Sequence, residues 1–104
     1  MAIETLRRMT AADREPLVSD AELWEILELC RRRDGSGRAP VDSQWEPTYD
    51  LDSAAAMVWE AKAAAVASEY DVTADGVNLA RSQLHAQFLV QADRHRRRVA
   101  GRSL

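Results

Sequence analysis

The sequence predicts an all-α fold: a small bundle of three to four helices with one long inter-helix loop. Apolar residues recur at the three-and-four spacing of a buried helix face in three segments, and no segment shows a convincing strand alternation. The 104 residues, 46% of them hydrophobic, suffice for one domain with its own core. We therefore expect a single helical domain over residues 1–100, followed by a short tail over residues 101–104.

The first strong helix is predicted over Ser19–Arg33. Ser19 and Glu22 have the spacing of a capping box, in which side chains bind the free backbone amides at a helix start. Gly35 is suited to the left-handed conformation that closes many helices. The predicted buried face comprises Leu23, Ile26, Leu27 and Cys30.

A long loop is predicted over Gly35–Tyr49, because this stretch holds two prolines and two glycines. Loops of this length are uncommon inside a compact domain and are often functional. Trp45 and Tyr49 are large apolar groups within it. Two interpretations stay open at this point: the pair folds back on the core, or it binds a partner.

The central helix is predicted over Leu51–Tyr70, whose many alanines favour helix more than any other stretch. Asp50 and Asp52 are expected to cap its first turn. Lys62 lies on the apolar side of this helix. We expect it to bury its aliphatic stem and expose its ammonium group to water.

Two further helices complete the predicted bundle. The break Asp71–Gly76, with its Asp-Gly turn signal, precedes a last helix that Ser82 caps and that reaches about Val99. A short helix over Thr5–Asp13, ended before Pro16, precedes the first strong one. The buried stripe of the last helix is predicted to be Leu84, Phe88, Ala92, His95 and Val99.

The net charge of −3 hides an uneven distribution. Residues 1–80 carry eight basic and sixteen acidic side chains, whereas residues 81–104 carry six basic and one acidic. A solvated helix end, contact with nucleic-acid phosphates, and docking onto an acidic protein surface each explain this basic end. Five of its basic residues lie close together: Arg94, Arg96, Arg97, Arg98 and Arg102.

Nothing in the sequence predicts catalysis, a metal site or a cofactor. Cys30 is the only cysteine, so no intramolecular disulfide is possible, and a buried, inert thiol is expected. His85 and His95 lie about three helical turns apart, too far to chelate one metal together, and are expected at the surface or core edge. The longest apolar runs, Ala54–Val58 and Ala63–Ala67, fall far short of the ~18 residues that suggest a membrane span.

The middle of the chain resembles a known family. The tract Tyr49–Ala64, followed by Asp75-Gly76, Ser82-Gln83 and a last helix that ends in arginines, is similar to the head-to-tail adaptors of long-tailed double-stranded DNA phages. These are also called head completion or connector proteins, and the similarity is greatest to those of phages that infect actinobacteria. It covers about residues 17–100.

The resemblance implies a structural protein of the virion, assembled in the host cytoplasm, and not an enzyme. It implies a helical bundle that forms a ring with copies of itself beneath the portal protein and extends the DNA channel toward a stopper or tail protein. Packaged DNA would pass through without sequence-specific binding, and no membrane is involved. The candidate portal or subunit contacts are Arg94, Arg96, Arg97, Arg98, Arg102, Trp45 and Tyr49.

Two other interpretations of the sequence stay open. One is a small nucleic-acid-binding or regulatory helical protein that uses its arginine-rich last helix. The other is a different connector component of similar architecture, such as a stopper. A ring subunit needs two complementary patches, and the acidic first strong helix and the arginine-rich last helix are candidates for them. Purified protein is expected to be monomeric or weakly associating.

Overall fold

The computed structural model describes residues 2–70 and 75–102, with side chains described for residues 2–67 and 83–101. The predicted all-α bundle is confirmed, and within the described residues the only β-type pairing is one isolated bridge between Arg31 and Tyr49. A long loop joins the second helix to the third. The four helices are α1 (Ala2–Thr10), α2 (Asp20–Leu29), α3 (Leu51–Tyr70) and α4 (Asp75–Arg102).

Helix α3 is the central element of the bundle. α1 and α2 pack against each other and against α3. α4 packs against α3 and, among the described residues, approaches neither α1 nor α2. α3 therefore lies between the α1–α2 pair and α4 and packs against both.

The larger core lies between α1, α2 and the first half of α3. Leu6, Leu23, Leu27 and Val58 are completely buried there. Full burial of an aliphatic side chain contributes roughly 1.5–3 kcal/mol, so this cluster is the main apolar contribution to folding among the side chains that the structure describes. Its buried members are Ile3, Leu6, Ala12, Val18, Leu23, Leu27, Cys30, Ala54, Ala55 and Val58.

A smaller core lies between the second half of α3 and α4. Ala63, Val66 and Phe88 are buried, and Trp59 packs against them. The Trp59 and Phe88 rings lie 5.5 Å apart, a favourable distance for an aromatic pair. Alanine lets the two helix backbones approach closely, and the described part of this core, residues 59–67 against 83–92, contains few large apolar side chains.

Two contacts fix the register of the antiparallel α3–α4 pair. Asp52 meets His95, and Trp59 meets Phe88, so a step of seven residues along α3 matches a step of seven along α4. In this register Leu51, where α3 begins, lies opposite Arg96, so α4 extends roughly 1.7 turns further, to Arg102. The residues of α4 that follow this position therefore have no part of α3 directly opposite them.

α1 begins and ends three residues earlier than the predicted Thr5–Asp13. Ala11 follows it in the left-handed region, with φ +48°, which a right-handed helix cannot accommodate. The Thr10 hydroxyl donates to the Leu6 carbonyl at 2.7 Å and satisfies one acceptor of the last turn.

α2 begins as predicted but ends at Leu29 rather than at Arg33. Ser19 is its N-cap and accepts a hydrogen bond from the Glu22 amide at 3.2 Å. The chain leaves the helix at Cys30, whose amide still reaches the Leu27 carbonyl at 2.9 Å. The next residues pair with the far end of the loop instead of continuing the helix, and the left-handed glycine is Gly37 (φ +81°), not Gly35.

α3 has the predicted bounds, but only one of the two aspartates caps it. Asp50 accepts hydrogen bonds from the amide and the hydroxyl of Ser53, at 3.2 and 3.0 Å. Asp52 lies inside the first turn, and its carboxylate binds His95 on α4 instead. The expectation that Asp52 is the cap is wrong, because Asp50 takes that position and Asp52 lies one residue inside the helix, where its carboxylate meets α4.

α4 begins at Asp75, seven residues before the predicted start at Ser82, and continues to Arg102 rather than Val99. Asp75 and Gly76 therefore open the helix and do not form a turn. The rest of the predicted break, residues 71–74, lies outside the described residues. The earlier start lets α4 run beside the whole length of α3, which a helix from Ser82 would leave partly uncovered.

Candidate interaction surfaces

The arginine cluster occupies the last turns of α4. Arg94, Arg96, Arg97 and Arg98 are exposed, and the side chain of Arg102 lies outside the described residues. Since neighbouring residues of a helix point in different directions, the four described arginines divide between the α3 side of the helix and its outer side.

Arg96 is bound to α3. Its Nε lies 3.3 Å from Oε2 of Glu60, and its Nη2 binds the other carboxylate oxygen. This two-pronged geometry is the strongest that a guanidinium forms with a carboxylate. The hydrogen bond to Glu60 raises the pKa of Arg96 further above its usual range, so this side chain is charged at every accessible pH.

His95 and Arg98 share one carboxylate at the start of α3. His95 Nδ1 lies 2.9 Å from Asp52 Oδ1, and Arg98 Nη1 lies 3.6 Å from the same oxygen. His95 is buried, with 6% of its surface exposed, as its place on the predicted buried stripe of the last helix indicates, and it does not lie at the surface. His85 is half-buried. The Asp52 contacts fasten the end of α4 to the first turn of α3.

Arg94 and Arg97 lie on the outer side of α4. Arg97 pairs with Asp93 on its own helix at 2.8 Å, and its side chain is 81% exposed. Arg94 forms no hydrogen bond or ion pair within the described part of the chain. Among the four described arginines of the cluster, these two are the ones that no contact ties to α3.

Trp45 and Tyr49 fold back on the protein. Trp45 Nε1 donates to the Arg32 carbonyl at 2.9 Å, and its ring meets that of Tyr49 edge-on at 6.1 Å. Tyr49 also packs against the larger core. Both residues are half-buried, and no contact among the described residues joins either of them to the arginine cluster.

The loop that carries this aromatic pair is built around Asp34. One carboxylate oxygen accepts hydrogen bonds from the amides of Ser36 and Arg38, both at 2.9 Å, and the other accepts from the Glu46 amide at 3.0 Å. The bonds from Glu46 and Arg38 lower the pKa of Asp34 below its usual range. Sequence reasoning missed this role, although an aspartate before Gly-Ser-Gly is a typical organiser of turns.

The loop ends are closed by backbone pairing. The Arg32 amide donates to the Thr48 carbonyl at 3.0 Å, and the Asp50 amide donates to the Cys30 carbonyl at 2.8 Å. The segment between α2 and α3 is therefore an ordered surface element with its own hydrogen bonds. Such Ω-type loops frequently carry function.

The environment of Lys62 differs from the one that the sequence predicts. It is 1% exposed, so the expectation of an exposed ammonium is wrong. Its Nζ donates to the carbonyls of Ala11 and Arg14, at 2.6 and 3.0 Å, because the turn between α1 and α2 covers it. Trp59 and Phe88 lie within cation–π range, at 5.5 and 5.9 Å.

The surroundings of Lys62 define a structural role. Burial lowers the pKa of Lys62 below its usual range, while the carboxylates of Asp13 and Glu15 act in the opposite direction. Two carbonyl acceptors occupy the ammonium group, and it lies just beyond the C-terminal end of α1, where a positive charge is favourable. The side chain thus joins the α1–α2 turn to α3 and α4.

Cys30 is buried, as predicted, and burial raises the pKa of its thiol. Its Sγ lies 3.8 Å from the sulfur of Met57. Within the described residues, no group of three or more histidine, cysteine, aspartate or glutamate side chains is arranged to hold a metal ion. None of the described helices has the length and apolar character needed to cross a membrane.

Comparisons with protein families, with curated proteins and with solved structures find no match to this chain. Two of the surfaces described above are the candidates for its function. These are the charged end of α4 and the ordered loop after α2.

Proposed function

We propose that the protein is a structural head-to-tail adaptor of a long-tailed double-stranded DNA phage. It is one subunit of a ring beneath the portal protein, extends the DNA channel and joins the head to the next connector or tail protein. The observation that carries the proposal is the end of α4, which continues roughly 1.7 turns beyond the start of α3 and bears the arginine cluster.

The projecting end of α4 is suited to docking because it is held in place before any partner arrives. Arg96 and Arg98 bind acidic residues of α3, so the direction of the helix is set. A preorganised element loses less conformational entropy on binding than a flexible tail does. Arginine, with its planar fork, is also favoured at interfaces with carboxylates.

We assign the contact with the portal protein to the last residues of α4, from Val99 onward. Ala100 and Gly101 are exposed there and small enough for a close approach. The matching surface of the portal protein is expected to be acidic, since the segment that meets it contains Arg102 and directly follows Arg98.

Co-purification with the portal protein of the same phage tests the proposal. The wild-type chain is expected to bind the portal protein, and both Arg102→Glu and a chain shortened to residues 1–100 are expected to bind at least about tenfold more weakly. Arg8→Glu is the matched control, because Arg8 is an exposed arginine on α1, far from α4. A wild-type chain that does not bind the portal protein contradicts the proposal.

The second candidate function is nucleic-acid binding, which the exposure of Arg94 and Arg97 favours. Asp93 beside them and the acidic remainder of the chain oppose it. A gel-shift titration with double-stranded DNA at two salt concentrations separates the candidates. Tight binding that weakens steeply with salt supports the second candidate, and no binding at either concentration eliminates it.

A further inference from the structure

The outer face of α2 carries an acidic stripe, which we define as Glu22, Glu25 and Leu29. These residues follow one another at intervals of three and four, so they lie on one side of the helix. All three are exposed, Leu29 by 75%. Neither carboxylate forms a side-chain hydrogen bond or ion pair within residues 2–70 and 75–102.

The outer face of α4 carries a basic stripe, which we define as Val90, Arg94 and Arg97. Its intervals are four and three, the reverse of the acidic stripe. Val90 is 56% exposed. The one ion pair in the stripe, Arg97 with Asp93, is exposed, and such pairs are weak enough to exchange partners.

The two stripes match when their helices are laid antiparallel. Glu22 then faces Arg97, Glu25 faces Arg94, and the exposed Leu29 faces the exposed Val90. Each charge meets its opposite, and each apolar side chain meets the other. The match depends on the order of both stripes, since a parallel arrangement would set the apolar residue of each stripe against a charge of the other.

The stripes of one chain do not meet each other. α2 and α4 pack against α3 and, in the described part of the chain, do not approach one another. Both stripes consist of exposed residues, so both are available to a second molecule. The matching partner for each stripe is therefore the other stripe on another copy of this chain.

We propose that the acidic stripe of one copy binds the basic stripe of the next. Because the two surfaces differ, the contact is heterologous, and repetition produces a ring or an open chain rather than a closed dimer. The inference deepens the proposed function and rests on it for the closure of the ring. A stripe of three residues on each side is small, so the contact is weak alone and gains strength when a portal ring holds many copies together.

Sedimentation velocity tests the contact. At low ionic strength, the wild-type chain is expected to sediment faster as its concentration rises. The double variants Glu22→Gln/Glu25→Gln and Arg94→Gln/Arg97→Gln are each expected to associate at least about tenfold more weakly. Glu4→Gln/Glu46→Gln is the control, because it neutralises two exposed carboxylates outside the stripes.

Mixing the two double variants distinguishes this contact from other modes of association. Each variant keeps one intact stripe, so an equimolar mixture is expected to form dimers with about the wild-type affinity and to stop at two copies. The four-fold charge exchange Glu22→Arg/Glu25→Arg/Arg94→Glu/Arg97→Glu in one chain is expected to restore growth beyond dimers. Circular dichroism of each variant verifies that the helices are retained.

Three results would overturn the inference: a wild-type chain that is monomeric at every concentration, neutralised variants that associate like wild type, or a mixture no stronger than its components. Its failure is separable from that of the adaptor function. A chain that binds the portal protein but does not associate through the stripes supports the adaptor function and refutes the contact between copies. Association through the stripes without portal binding supports the contact between copies and refutes the adaptor function.

Discussion

The two sides of α3 are built differently. Toward α1 and α2 it presents Ala54, Ala55 and Val58 to a continuous cluster of buried leucine, isoleucine and valine side chains. Toward α4 the described side chains form a small aromatic and alanine core, with the His95–Asp52 contact and the ion pairs of Arg96 and Arg98 toward the end of α4. The first side is held mainly by apolar burial, and the second depends substantially on polar contacts.

The side of α3 that holds the apolar core is therefore distinct from the side that positions α4, the helix that we propose docks onto partners. Burial of large aliphatic side chains stabilises the first side, and salt does not screen this contribution as it screens ion pairs. Ion pairs with α3 fix the position of α4 while leaving its outer face free. The two sides meet at Lys62, which contacts the α1–α2 turn and the aromatic pair at once.

The largest effect is expected from Leu27→Ala, which removes a completely buried side chain from the core beneath α2. The cavity should cost about 3 kcal/mol of unfolding free energy, measured by urea denaturation. Leu29→Ala on the same helix is the control and should change the unfolding free energy little, because Leu29 is 75% exposed. Equal losses for both variants would refute the assignment of the main core to this side.

A smaller loss is expected from Lys62→Met, which preserves side-chain length but removes the ammonium group. The carbonyls of Ala11 and Arg14 would lose their donor, and easier burial of methionine would offset part of that loss. We expect about 1–2 kcal/mol of destabilisation, against almost none for Arg8→Met at an exposed site. An unchanged or higher stability would mean that apolar packing alone joins the two sides.

The loop supplies a test of pH dependence. The pKa of Asp34 is lowered in the folded protein, so its contribution is complete above the ordinary aspartate value of about 3.9 and is lost as the pH falls through the lowered value. The amide resonances of Ser36, Arg38 and Glu46 should therefore shift together on acidification, with a midpoint below about 3.9. Asp34→Asn should abolish this shared titration, and its persistence would show that another group organises the loop.

The smallest effect is expected from Arg96→Gln on the α4 side. The pair with Glu60 is largely exposed, so its loss should cost about 0.5 kcal/mol and less still in high salt. Thermal denaturation at two salt concentrations measures this, with Arg8→Gln as the control. A loss as large as that of Leu27→Ala would remove the distinction between the two sides.

Sequence reasoning succeeded where local chemistry decides the structure. The all-α class, both ends of α3 and the Ser19 cap follow from composition, spacing and capping, which act within a few residues. Burial of Cys30 followed from its place on an apolar stripe. The end of α2 at Leu29 did not follow from the sequence, because pairing across the loop decides it. The start of α4 at Asp75 did not follow either, because packing along α3 decides it.

The environments of polar residues depended on distant partners and were missed for that reason. Lys62 is buried because a turn some fifty residues earlier in the chain covers it, and no spacing near Lys62 announces that turn. Asp52 has the local chemistry of a cap, but His95 lies beside it in the folded protein. The arginine cluster was visible in the sequence, whereas its division between α3 contacts and solvent was not.

The burial of Lys62 makes this protein a reporter of its own opening. Lys62 is the only lysine in the sequence, so it carries the only side-chain amine. An acylating reagent can reach that amine only when the turn over it lifts from α3, since the folded side chain is 1% exposed. The rate of acylation at this one position therefore measures how often the two sides of the bundle separate under native conditions.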